Sequence, residues 1–127
     1  LATTGYQLGA HGLLQFTNNG LDSIYVVGAG REAVTGDPSD RGKFKVPSLR
    51  NVEYSYPYMH DGRFQTLAEV LDFYEMGGHP SPTLDPNMKA VGVGRNWSIA
   101  QKQGLLDFLK TFSDPAFLTD TSFTDPW

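Results

Sequence analysis

The residues with the most chemical capacity are three histidines, two methionines, a tyrosine and an arginine. His60 is followed directly by Asp61, and a carboxylate beside an imidazole can fix its tautomer or staple a loop. Met59 precedes that pair, and Met76 lies further on; both carry a soft sulfur donor. Tyr74 carries a phenol, which can serve as a ligand oxygen or as a core side chain with its hydroxyl bonded to backbone. Arg50 has the planar fork that matches a carboxylate, and Asp40 and Asp61 are candidate partners within the chain. His11 stands alone in a glycine-rich stretch, and His79 precedes a proline.

Several chemistries are absent. The chain has no cysteine, which excludes disulfides, thiolate nucleophiles, thiolate-held metals and thioether-linked haem within these 127 residues. No zinc-protease helix motif, nucleophile elbow or phosphate-cradling loop occurs. Asp37 and Asp40 near Thr35 lack the spacing of a calcium-binding helix-loop-helix. The net charge of -4 and the lack of a basic block give nucleic acid no electrostatic footprint. No apolar run approaches the length of a membrane span.

The elements that must hold these residues are few. Thr66 and Glu69 form a T-x-x-E capping box, and Leu67, Val70, Leu71 and Tyr74 fall on one helical face. That spacing predicts a helix over 66–76, stopped by Gly77-Gly78. Ser98 and Gln101 open a second helix over 99–112, with Ile99, Leu105, Leu106, Leu109 and Phe112 as an apolar stripe. Gly104 weakens it by roughly 1 kcal/mol against alanine. Ser23–Val27 reads as a short strand or extended segment, and the tail after Ser113 as extended chain packing back on the body. Pro47 and Pro57 keep 44–62 irregular, and the aromatics Phe44, Tyr54, Tyr56 and Tyr58 suit a segment wrapped around something. With 14 glycines, 8 prolines and only 39% hydrophobic residues, the expected class is mainly α, one domain with long ordered loops and little sheet.

From Phe44 to Tyr74 the order of residues becomes specific: FKVPSLRNV, then PYMHDG, then T-L-x-E. This string resembles the C-terminal haem domain of the di-haem cytochrome c peroxidase/MauG family. The resemblance extends from about Phe16 to Pro126, through FTNNGLDS, TGDPSDRGKFKVPSLRN and LLDFLKTFSDPAFLTD. It implies a cytochrome c-like fold and a haem c cofactor. In such domains Cys-x-x-Cys-His precedes the F-x-N-N-G-L segment; here Gln7 and Ala10 stand where the cysteines would be, with His11 in the histidine's place. Two arrangements fit. Either the anchor lies upstream of Leu1 or on another chain, making residues 1–127 one domain incomplete at its N-terminus, or it has been lost. The otherwise intact motifs favour the first.

The resemblance also implies roles. Tyr74 takes the position of the distal haem-iron ligand, a methionine in the peroxidases and a tyrosine in MauG-like members. A phenolate is a hard donor favouring ferric iron, whereas methionine raises the potential. His60 and Met59 fall near the haem and shape its pocket, and Arg50 suits a propionate. Met76 lies about 200° around the helix from Tyr74 and is expected at the surface. Ser55 and Pro57 fall where the family offers backbone carbonyls to calcium. His11 would ligate iron only in a domain without thioethers. The implied partners are an N-terminal haem domain or another chain carrying Cys-x-x-Cys-His, and a small electron-donor protein. The implied location is the periplasm or cell envelope. The implied function is electron transfer with peroxide reduction or peroxide-driven oxidation, and the chain alone is expected to be inactive. The alternative is a haem-free, cytochrome-like structural or interaction domain.

Overall fold

The helix over 66–76 forms because its ends are satisfied locally. In the computed structural model, which describes residues 16–25 and 29–123, α2 spans Leu67–Met76. The Thr66 side chain accepts from the Glu69 amide, and the Glu69 carboxylate accepts from the Thr66 amide at 2.8 Å. Gly77 closes the helix in the left-handed conformation at φ 95°. Leu67, Leu71 and Phe73 are buried, while Tyr74 is half-buried.

Helix α3 spans Ile99–Lys110 and opens on a second capping box, between Ser98 and Gln101. It ends two residues earlier than the apolar pattern suggests. Ile99 sits in its first turn and is 89% exposed, so it does not join the stripe. Lys102 ties α3 to α2, reaching Asp72 and, at 2.8 Å, Glu75. Beyond α3 the chain doubles back: the Asn51 amide donates to the Phe112 carbonyl at 2.9 Å, and the Asp114 amide donates to the Asn51 side chain at 2.6 Å.

The remaining elements are short. β1 (Phe16–Thr17) pairs antiparallel with β2 (Phe44–Lys45), joining Phe16 to Lys45 and Thr17 to Phe44. α1 is the single turn Glu32–Thr35, and 3-10 turns occupy Pro38–Asp40, Val52–Tyr54 and Thr121–Phe123. Of the two readings of Ser23–Val27, no strand forms at Ser23–Tyr25, where Ile24 faces solvent; residues 26–28 lie outside the described residues. The tail differs too. Asp114 caps the Phe117 amide and Pro115 begins the short helix α4 (Pro115–Thr119), so these residues coil rather than extend. The fold is mainly helical with one two-residue-wide ribbon, as the composition implied.

The described core is small: Leu21, Tyr25, Leu67, Leu71, Phe73 and Ala90 are the buried apolar residues. Polar groups share the work of holding it. Asn18 is fully buried. Its side-chain oxygen accepts from the Tyr25 hydroxyl and the Gly20 amide, each at 2.9 Å. Its nitrogen donates to Ser81 at 3.1 Å and to Thr83 at 2.9 Å. One amide thus joins the loop at 18–25 to the loop at 81–85.

Candidate functional site

The loop carrying PYMHDG is a tight, internally bonded turn. The Tyr58 amide donates to the Phe64 carbonyl at 2.7 Å, and the Tyr58 hydroxyl donates to the Val52 carbonyl at 2.8 Å. Burial pushes the Tyr58 phenol above its ordinary value. Met59 follows at φ 70°, a left-handed conformation that costs a side-chain-bearing residue about 1 kcal/mol or more. Such strain persists only where the surroundings fix it, and here it turns the sulfur toward α2.

Three side chains meet at that point. The Asn19 Nδ2 donates to the Tyr74 hydroxyl oxygen at 3.3 Å and to the Met59 sulfur at 3.6 Å. The Phe73 ring packs edge-on against Tyr74 with centroids 5.1 Å apart, and Phe64 lies 5.9 Å from Phe73. Among the described residues, the Tyr74 hydroxyl is therefore bonded to a side-chain amide and not to the backbone.

Beside this cluster, His60 stacks on Phe44 at 3.8 Å with ring planes 15° apart. Its expected staple to Asp61 is replaced by a different one. Arg63 forms ion pairs with Asp61 at 2.6 Å and with Asp22 at 2.9 Å, so the arginine, not the histidine, holds the carboxylates. The guanidinium keeps the Asp61 carboxyl below its ordinary value, and both carboxylates raise that of Arg63. One ligand atom each of Asp22, His60 and Asp61 lies within 4.8 Å of the others, but both carboxylates are already engaged by Arg63.

The other expected residues lie apart from this cluster. Arg50 is exposed on an open cleft of roughly 600 Å³ that also involves Leu49, Phe112 and Asp114. Neither carboxylate considered for it is free: Asp40 pairs with Arg31 at 2.9 Å and Asp61 with Arg63. Among the described residues, no carboxylate pairs with Arg50. Ser55 and Pro57 are exposed, on either side of Tyr56, which is 64% exposed. Among the described residues their carbonyls accept no hydrogen bond. Met76 is half-exposed, as expected, and His79 is exposed. His11 lies outside the described residues.

Asn19 and Arg63 are the participants that residue types alone did not single out. The N-N-G-L string held the first, but an asparagine before a glycine ordinarily reads as a turn. Its side chain becomes specific only when the loop is laid across the end of α2.

The sequence and the fold resemble those of known proteins. No family model matches the chain. A cytochrome-c peroxidase of Pseudomonas sp. (strain SCT) is 40% identical over 80 residues, covering 63% of this chain and 20% of that protein. The methylamine utilization protein MauG of Methylorubrum extorquens is 33% identical over 115 residues, covering 86% of this chain and 31% of that protein. The crystal structure of a MauG-like protein associated with microbial copper homeostasis superposes with a TM-score of 0.71 at 38% identity, over 91% of this chain and 39% of that one. The chain spans about a fifth to a third of the length of these curated relatives. Sequence and fold agree: the chain belongs to the cytochrome c peroxidase/MauG family, and it carries no cysteine with which to anchor a haem.

Proposed function

We propose that this chain forms the distal wall of a c-type haem site in a di-haem peroxidase or MauG-like oxidoreductase. The observation that carries the reading is the convergence of the Tyr74 hydroxyl and the Met59 sulfur on one amide, at the end of α2. Oxygen and sulfur donors side by side under aromatic rings are a donor set suited to haem iron. The haem, when bound, supplies the redox chemistry. Tyr74 would offer its oxygen to the iron from α2, a helix capped by Thr66 and Glu69 at one end and by Gly77 at the other. Phe44 and His60 form a flat stacked wall beside it. Arg50, with no carboxylate partner among the described residues, receives a propionate.

The thioether anchor comes from residues beyond these 127 or from another chain, because no cysteine is present. The relatives are three to five times longer in the aligned sense, which leaves room for a second haem domain as partner. The exposed Tyr54 and Tyr56 suit a contact with it. There the uncommitted carbonyls of Ser55 and Pro57 would supply two of the six to eight oxygens that calcium takes. The whole protein would reduce peroxide, or use it to oxidise a substrate, in the periplasm or cell envelope, with electrons from a small donor protein.

The experiment is acid–acetone extraction of the natural full-length protein. A Soret band that stays with the polypeptide is expected, since thioether bonds survive the treatment. A band lost to the solvent would instead indicate non-covalent haem and bring His11 forward as its ligand. No Soret band before extraction would overturn the reading in favour of a haem-free structural domain.

A further inference from the structure

The geometry points to Asn19 as a positioning residue that decides which of two donors is presented to the haem. This inference rests on the reading of Tyr74 as the axial donor. The Asn19 amide nitrogen carries two hydrogens, and it has two acceptors: the Tyr74 oxygen at 3.3 Å and the Met59 sulfur at 3.6 Å. Both donors therefore lie within reach of one atom, and both compete for the same neighbourhood. They are chemically opposed. A phenolate stabilises ferric iron, whereas a thioether is soft and raises the potential.

The backbone that carries Asn19 is held on both sides. Its neighbour Asn18 is fixed by four side-chain hydrogen bonds. On the other side, the His79 amide donates to the Gly20 carbonyl at 2.7 Å, and a Cβ at Gly20 would meet the His79 oxygen at 2.7 Å. The loop is thus clamped against the end of α2, which keeps Asn19 where its amide reaches both Tyr74 and Met59. Met59, by contrast, sits on a left-handed backbone at φ 70°. A flexible side chain in a strained backbone is the member of the pair most ready to move when its restraint is removed. Asn19 directs the Tyr74 oxygen by donating to it, and holds the Met59 sulfur back by the same means.

The test uses the natural full-length, haem-loaded protein and reads its absorption spectrum and reduction potential. Wild type and Met59→Leu should share one spectrum, without the red-region thioether-to-iron charge-transfer band. Asn19→Ala should gain that band and a higher potential. Asn19→Asp, which keeps the shape and loses the donors, should do the same, and it serves as the second variant if alanine impairs folding. Adding Met59→Leu to either should abolish the new band. A wild-type spectrum and potential in both Asn19 variants would overturn the inference. So would a spectrum changed by Met59→Leu alone, because Met59 would then already be a ligand. Tyr74→Phe separates the two levels. If it alters the spectrum while the Asn19 variants do not, only the role of Asn19 fails. If it too changes nothing, the reading of Tyr74 fails.

Discussion

Asn18→Ala should lower the unfolding free energy by about 3 kcal/mol. The side chain is fully buried and makes four hydrogen bonds, two as acceptor and two as donor. A buried hydrogen bond contributes about 1 kcal/mol net, and a buried donor left without a partner costs about 1–3 kcal/mol. Truncation orphans two donors in the interior, the Gly20 amide and the Tyr25 hydroxyl. Ser81 and Thr83 are half-exposed and can turn to water, so they add less. The effect is large because the apolar core is small. Where six apolar residues make up the described core, a polar staple between two loops carries a larger share of the fold. Urea unfolding of the natural protein measures this; a loss below about 1 kcal/mol would show that water replaces the amide freely.

Gly77→Ala should cost about the same, roughly 3 kcal/mol, for an unrelated reason. The residue caps α2 at φ 95°, where a side chain is strained by roughly 1–2 kcal/mol. The added Cβ would also lie 2.1 Å from the Ala90 carbonyl oxygen, a backbone atom that cannot step aside cheaply. Overpacking of this kind adds about 1–3 kcal/mol. Gly36→Ala is the matched control. It has φ 69° but open space around its Cβ, so only the strain applies. Equal losses in the two variants would show that the Ala90 contact does not matter. The consequence reaches the site, because the last turn of α2 holds Tyr74 and Glu75, and the Arg95 amide donates to the Glu75 carbonyl at 2.8 Å.

Both variants touch residues whose structural weight local sequence conveys unequally. The ends of α2 were legible because capping is local: Thr66, Glu69 and Gly77 act within a few residues of one another. The same holds for the start of α3 at Ser98 and Gln101. The ribbon between Phe16–Thr17 and Phe44–Lys45 was not legible, since two-residue strands leave no alternation to read and their pairing spans nearly thirty residues. The tail was misread for another reason. Its Asp114-Pro115 start is a helix opening, but the many turn residues around it suggested extended chain.

The site divides in the same way. Helix phasing put Tyr74 on the inward face of α2, and there it shares the Asn19 amide with Met59, while His60 stacks on Phe44. The sequence could not show that Arg63 would take both Asp22 and Asp61, because that network joins residues about forty positions apart. Nor could it show that Arg50 would sit on a separate cleft with the turn after α3. Each of these depends on how the loops at 18–25 and 111–115 return to the motif, which is a tertiary fact.

The most direct test of the account is the absorption spectrum of the full-length, haem-loaded protein with Tyr74→Phe. Phenylalanine keeps the ring against Phe73 and removes only the oxygen. If Tyr74 is the axial donor, the phenolate-to-iron charge-transfer band disappears and the Soret band shifts. An unchanged spectrum would contradict the assignment and leave Tyr74 as a packing residue hydrogen-bonded to Asn19.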